Sequence, residues 1–134
     1  MRNVTVLIPQ FNSDGLVPVV VQDVNTGAVL MLAYTDKAGF EETLATGYAV
    51  FFSRSRKCRW KKGEQSGNVL PVIQISIDCD GDTIVYKVSA GFKPVCHTGK
   101  KSCFFRSVIG SSLEQAGLSL KIEILPVHPN ISGF

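Results

Sequence analysis

At 134 residues the chain is long enough for one domain with a sizeable core and too short for two ordinary ones. Its 45% hydrophobic and 19% charged content exclude a disordered chain, and no stretch reaches the roughly 20 apolar residues of a membrane span. Residues 1–6 lack the apolar core of a secretion signal, so the expected location is cytoplasmic; the four cysteines are then read as reduced thiols or metal ligands, with two disulfides of a secreted protein as the alternative.

Apolar alternation at Val4, Val6 and Ile8 predicts a first strand, and residues 16–21 after Asp14-Gly15 predict a second, more buried one. Asn25-Thr26-Gly27 reads as a tight turn into a strand over residues 28–34, making 16–34 a hairpin. A helix near 36–46 follows, capped by Thr35 or Asp36, with Phe40, Thr43 and Leu44 at helical spacing and Gly47 as its stop. Aromatic and β-branched residues over 48–54 return to strand chemistry. Residues 63–68 are loop material, 69–77 alternate into a strand, and 83–88 form its hairpin return. Gly91, Pro94 and Gly99 make the next stretch a loop, 107–116 leaves room for a short second helix, and alternation resumes at Leu118, Leu120, Ile122 and Ile124 before Pro126 and Pro129 close the tail. The expected fold is α+β, mostly antiparallel sheet with one or two short helices.

Chemistry concentrates in three places. The net charge of +3 is unevenly spread, since Arg54, Arg56, Lys57, Arg59, Lys61 and Lys62 place six of the fourteen basic residues within nine positions. Nucleic acid, a membrane surface or a phosphorylated small molecule would suit such a run; a charged, solvated strand edge would too. Trp60 within it offers a face for a base or a side chain for the core.

The second place is Asp78-Cys79-Asp80-Gly81-Asp82. It is not an EF-hand, because loop positions six and twelve, which need glycine and a bidentate glutamate, hold Thr83 and Ser89. It reads as an acidic hairpin turn or as a site for a hard ion such as Mg²⁺, with strand alternation setting Cys79 on the face opposite Asp78 and Asp80. The third is Cys96-His97-Thr98-Gly99-Lys100-Lys101-Ser102-Cys103, where Gly99 lets the loop curl so that both sulfurs can meet one ion. Three thiolates with an open fourth position describe a catalytic zinc site. Cys58 and His97 are candidates to complete the shell, but Cys58 reads better as a half-buried packing residue and His97 as a general base or acid beside the metal. A loop histidine bonded to backbone is the plain alternative for His97, and His128 is read as structural.

Asp14-Gly15-Leu16-Val17-Pro18, Val29-Leu30-Met31-Leu32-Ala33-Tyr34, Phe52-Ser53-Arg54-Ser55-Arg56, Trp60-Lys61-Lys62-Gly63-Glu64, Ser66-Gly67-Asn68 and the two cysteine clusters stand in the order and approximate spacing of phosphoribosyl-AMP cyclohydrolase, a family of histidine biosynthesis. The resemblance covers about residues 13–108, with Gln65 where threonine is common and an unusual approach, Ser89 to Val95, before Cys96. It implies a single cyclohydrolase domain over 1–108, and 109–134 is then an extension packed on or near the core. It further implies an intertwined homodimer, with Zn²⁺ held by Cys79 of one subunit and Cys96 and Cys103 of the other, and Mg²⁺ held by Asp78, Asp80 and Asp82. The implied reaction is hydrolysis of the N1–C6 bond of an adenine ring bearing phosphoribose on N1, with His97 as the base. Ser53, Arg54, Ser55, Arg56 and Lys62 are candidates for holding the two phosphates, and Trp60 for stacking. Nucleic acid and membrane are not expected partners. The competing functions are a zinc-stabilised nucleic-acid-binding module and another metal-assisted nucleotide hydrolase.

Overall fold

A computed structural model describes residues 8–110 and 120–124. Of the expected first strand only Ile8 falls among these; it is exposed and lies outside any strand. The chain then builds a hairpin of β1 (Val17–Asp23) and β2 (Val29–Thr35), helix α1 (Lys37–Thr46), a second hairpin of β3 (Val50–Ser53) and β4 (Cys58–Lys61), and a third of β5 (Val72–Ile77) and β6 (Ile84–Val88). β7 (Arg106–Gly110) pairs with β8 (Leu120–Ile124). The main sheet runs β2-β1-β6-β5. Its outer pairings are antiparallel, as expected, but β1 and β6 run parallel at its centre. The α+β class therefore holds, with one helix among the described residues. The short second helix expected at 107–116 is not formed over its first part, because Ser107 to Gly110 lie in β7; residues 111–119 lie outside the described ones.

Residue type explains the central pair. In β1 every second residue from Val17 is buried, and β-branched side chains suit a pleated surface packed on one face. Val17, Val19 and Val21 meet Ile84, Tyr86 and Val88 of β6, with Leu30, Phe40, Phe51 and Leu70 closing the core. Phe51 of β3 packs on both Trp60 and Tyr86, at centroid distances of 5.1 and 6.1 Å, and so welds the second hairpin to the main sheet.

The helix boundaries follow their caps. Asp36, not Thr35, is the N-cap: its carboxylate accepts from the Gly39 N–H at 2.8 Å, while Thr35 ends β2 fully buried. Gly47 takes φ 82° and returns its N–H to the Thr43 carbonyl. Phe40 and Thr43 face inward, but Leu44 is 59% exposed, so the helix buries a narrower stripe than its spacing suggested. Thr43 earns its burial by hydrogen bonding, since its hydroxyl accepts from the Val50 N–H at 3.0 Å and ties α1 to β3.

Tyr86 is fully buried, and its hydroxyl has no hydrogen-bond partner among the described residues; the Thr43 hydroxyl beside it is engaged by Val50. Burial pushes this phenol up to about 12. Removing an unpaired buried hydroxyl relieves a desolvation cost, so Tyr86→Phe should leave the unfolding free energy unchanged or raise it by up to about 1 kcal/mol. Urea unfolding checks this, and a loss of more than that amount would mean the hydroxyl is satisfied.

Candidate functional site

The basic run does not form one uniform patch. Its latter half is β4, so the charged strand edge weighed from sequence is present, and several charges are already engaged. Arg59 pairs with Glu42 at 3.0 Å, Arg54 lies 4.0 Å above the Tyr34 ring, and Lys61 lies 4.5 Å above that of Tyr48. Beside them opens a cavity of about 460 Å³. Of the residues expected to hold substrate, Ser53, Arg56, Trp60 and Lys62 line it, whereas Arg54 and Ser55 do not. Arg54 is held on Tyr34, and Ser55 has its hydroxyl 3.4 Å from that of Ser53.

Sequence reasoning passed over part of the lining. Lys61, Glu64, Gln65 and Ser66 contribute, and so does Cys58, which is exposed in the cavity wall and not the half-buried packing residue expected. No alternation in the sequence marked Cys58, since Cys58 and Arg59 are both exposed and its neighbours Trp60 and Lys61 both line the cavity. Gly63 shapes the wall by necessity: at φ 82° a Cβ would sit 2.2 Å from the Asn68 backbone, so no other residue fits without moving the loop.

The thiol loop is a tight excursion after β6. Val95 N–H donates to the Lys101 carbonyl at 3.2 Å, Cys96 N–H to Lys100 at 3.0 Å, and Gly99 N–H to Cys96 at 2.9 Å, leaving His97 exposed at the tip. The outgoing arm is docked on β2, where Ser102 Oγ donates to the Val29 carbonyl and the Cys103 N–H to Leu30, both at 2.7 Å. Cys96 is buried, and its Sγ lies 3.0 Å from Thr98 Oγ1. Burial alone would raise the Cys96 thiol, but hydrogen bonding from Thr98 and the charge of Lys62 hold it below the ordinary thiol range. Desolvation and the adjacent Cys96 push Cys103 up to about 11. The two thiols are thus pushed in opposite directions, Cys96 toward the thiolate and Cys103 away from it, and ionising both would call for a cation beside them. All four cysteines are free, so the disulfide alternative is absent from this structure.

Asp78, Asp80 and Asp82 each offer an oxygen within 4.8 Å of the others, all exposed. They are the only such trio of histidine, cysteine and acidic side chains among the described residues. Strand geometry ends at Ile77, so the alternation expected to turn Cys79 away from its neighbours does not operate. A closed turn replaces it, with Asp78 N–H donating to Thr83 at 3.0 Å and Gly81 N–H to Asp78 at 3.1 Å. Asp78 also accepts from the Asp82 and Thr83 N–H groups, which outweigh its desolvation and hold the carboxyl below its usual range. Cys79 is exposed in this turn and does not join Cys96 and Cys103 within the chain.

These features define an α+β domain carrying a cation-lined cavity, a thiol loop and an acidic turn. The phosphoribosyl-AMP cyclohydrolase family matches residues 31–105, and the chain belongs to that family. It is 52% identical to the phosphoribosyl-AMP cyclohydrolase of Desulfotalea psychrophila over 107 residues, 80% of this chain and 84% of that protein. To the Desulforapulum autotrophicum cyclohydrolase it is 54% identical over 95 residues, 71% of this chain and 76% of that protein. It is also 46% identical to the histidine biosynthesis bifunctional protein HisIE of Aquifex aeolicus, covering 87% of this chain. The chain spans about half the length of such bifunctional relatives, 56% of that one and 46% of its Thermus thermophilus counterpart. No helix among the described residues is long and apolar enough to cross a membrane.

Beneath the thiol loop, Asp23 accepts from the N–H and hydroxyl of Thr26, both at 2.8 Å, and from the Ala90 N–H at 3.4 Å. Burial alone would raise its carboxyl, but these bonds and the nearby charge of Lys101 bring it below the usual aspartate range. Its folded value lies below its unfolded one, so the stability it contributes is full above the unfolded carboxyl range and is lost as pH falls through the folded value. The stability difference between wild type and Asp23→Asn, measured by urea unfolding, should therefore shrink from pH 6 to about pH 3. A difference independent of pH would mean that the charge of Asp23 contributes nothing.

Proposed function

We propose that this chain catalyses, in the cytoplasm, the hydrolytic opening of the adenine ring of 1-(5-phosphoribosyl)-AMP at its N1–C6 bond. The product is the phosphoribosylformimino-aminoimidazole carboxamide ribotide of histidine biosynthesis. Family membership supports the substrate, and one observation in the fold carries the site: the cation-lined cavity is hydrogen-bonded to the thiol loop through Lys62. A nucleotide held in the first is thereby presented to the second.

The donor sets fit the two metals. Adjacent sulfurs, one of them already inclined to ionise, suit Zn²⁺, and three clustered carboxylates suit Mg²⁺. Cys96 and Cys103 would hold the zinc together with Cys79 of a second copy, and Asp78, Asp80 and Asp82 would hold the magnesium. Zinc would supply Lewis-acid activation of water, and magnesium a counter-charge for phosphate.

Chain topology supports the two-subunit arrangement. Cys79 precedes β6 and the thiol loop follows it, and β6 is five residues long, about 13 Å from end to end. The loop is anchored on Leu30, beside Met31, which pairs with Val21 in the last part of β1, whereas the acidic turn opens where Ile84 pairs with Val19. The third sulfur sits at the other end of the sheet from the first two. An intertwined homodimer would bring them together.

In the reaction, substitution on N1 makes C6 electrophilic, and water adds there. His97, exposed beside Cys96, takes the proton from the water and delivers it to N1 as the N1–C6 bond breaks with its electron pair on N1, so that C6 becomes the carboxamide carbon and N1 the amidine nitrogen. Arg56 and Ser53 in the cavity wall hold phosphate oxygens, and Trp60 offers a face for a base.

Turnover of phosphoribosyl-AMP, followed by the absorbance change of ring opening, should be abolished by a zinc chelator. Release of phosphate or pyrophosphate instead would point to a different nucleotide hydrolase. His97→Ala should lower turnover by about 10²- to 10⁴-fold while zinc stays stoichiometric, and near-normal turnover would remove His97 from the proton transfer. If the zinc site is shared, zinc should be lost on dilution in step with dimer dissociation; retention by a monomer would refute the sharing.

A further inference from the structure

Lys62 stands where the cavity and the thiol loop meet. Its N–H donates to the Ala49 carbonyl at 3.0 Å, which fixes its backbone just past β4. Its side chain lines the cavity, with Nζ 5.9 Å from the Trp60 ring centroid, and that same Nζ donates to the Val95 carbonyl at 2.6 Å. Val95 is 1% exposed and immediately precedes Cys96. Among the described residues no other hydrogen bond joins the cavity wall to this loop. The outgoing arm is tied to β2 through Ser102 and Cys103; the incoming arm is held farther back by Ser89 on Pro71, Ala90 on Asp23 and Lys93 on Val69, and next to Cys96 by this ammonium.

Arg56 differs. It lines the same cavity, yet its guanidinium makes no hydrogen bond or ion pair among the described residues. A free guanidinium can receive a phosphate, whereas a short, partly buried bond from an ammonium to a carbonyl is charge-assisted and costly to exchange.

We propose that Lys62 is a positioning residue and not a phosphate ligand. Its ammonium holds the backbone at Val95, and through it the Cys96 sulfur, at a set place relative to the cavity. The inference rests on the cyclohydrolase reading for the identity of the nucleotide, but the hold on the thiol loop stands on the geometry alone.

The test compares Lys62→Met, Lys62→Arg and Arg56→Met in the full-length protein, with melting followed by circular dichroism to establish folding. Zinc affinity is measured without nucleotide, by competition with a chromophoric chelator. Alkylation of Cys96 by iodoacetamide is timed in metal-free protein by peptide mass, and KM and kcat are measured with phosphoribosyl-AMP. Lys62→Met should weaken zinc binding by about 10- to 100-fold, the usual cost of losing a residue that orients a metal ligand, and should speed alkylation of Cys96 when variants are compared at a pH where the thiol is fully ionised in each, so that the lost Lys62 charge does not itself slow the reaction. Its kcat should fall while KM stays within about threefold of wild type, and Lys62→Arg, which keeps a charged donor, should recover most of each loss. Arg56→Met should do the reverse, raising KM with zinc affinity unchanged.

A raised KM for Lys62→Met, with zinc affinity and alkylation unaltered, would make Lys62 a phosphate ligand and overturn the proposal; so would wild-type values throughout. If Lys62→Met fails to fold, Lys62→Gln is read by the same criteria. Should no variant, nor the wild type, act on phosphoribosyl-AMP, the proposed reaction fails, while zinc affinity and alkylation still decide the role of Lys62.

Discussion

The parallel pairing of β1 with β6 is the constraint on which the remaining structure depends. Every other pairing in the main sheet is antiparallel and joins neighbours in sequence, but this one joins segments about sixty residues apart and buries the central valines against Ile84, Tyr86 and Val88. Because the strands run the same way, their starting ends lie together and so do their finishing ends. The acidic turn enters β6 at one end, where Gln10 N–H meets the Gly81 carbonyl at 2.7 Å. The thiol loop leaves at the other, above Asp23. An antiparallel pairing would have set Asp23 beside the acidic turn, and the carboxylates would then have repelled each other.

The second hairpin contributes through its packing. Phe51 and Trp60 lock β3 and β4 on the core, so the cavity wall is a rigid surface carried on strands and not a free loop. This explains why most of the basic run is spent before any ligand arrives. Cations on Tyr34, Tyr48 and Glu42 hold the hairpin, and Lys62 reaches the thiol loop. Six basic residues in nine positions read as one electrostatic feature, but the fold divides them into structural and ligand-facing members.

What was legible in the sequence was local. The β1–β2 hairpin, the helix with its Gly47 stop and the β5–β6 hairpin each follow from period, turn residues and caps that act over a few positions, and the structure reproduces them. The parallel centre was not legible, since nothing in the alternation of β1 or β6 encodes which strand it will adjoin. Over 107–110, the first part of the expected helix, strand stands instead for a related reason: a short mixed segment is decided by its partner, and β8 supplies a ladder for β7. At the site, residue types indicated the chemistry of the thiols and carboxylates. They did not indicate that Arg54 would lie on Tyr34 or that Cys58 would face the cavity, because the first depends on how the end of β3 sits against β2 and the second on the register of β3 with β4.

The same topology bears on how the soft-metal site would be completed. If Cys96 and Cys103 hold a soft metal as proposed, the missing member of the ligand set would be a third sulfur. Cys79 cannot swing to the loop by rotamer changes, since it is fixed in a turn closed by Thr83 and Gly81 at the opposite end of β6. Melting that turn would disperse the three carboxylates and free the ends of β5 and β6, whose Ile77 and Ile84 pair beside it. Recruiting Cys79 from a second copy leaves both ladders intact and asks only for a complementary surface. Exposed Leu32 and Val29 on the edge strand β2, next to the residues that anchor the thiol loop, are the kind of apolar surface that such an approach would cover.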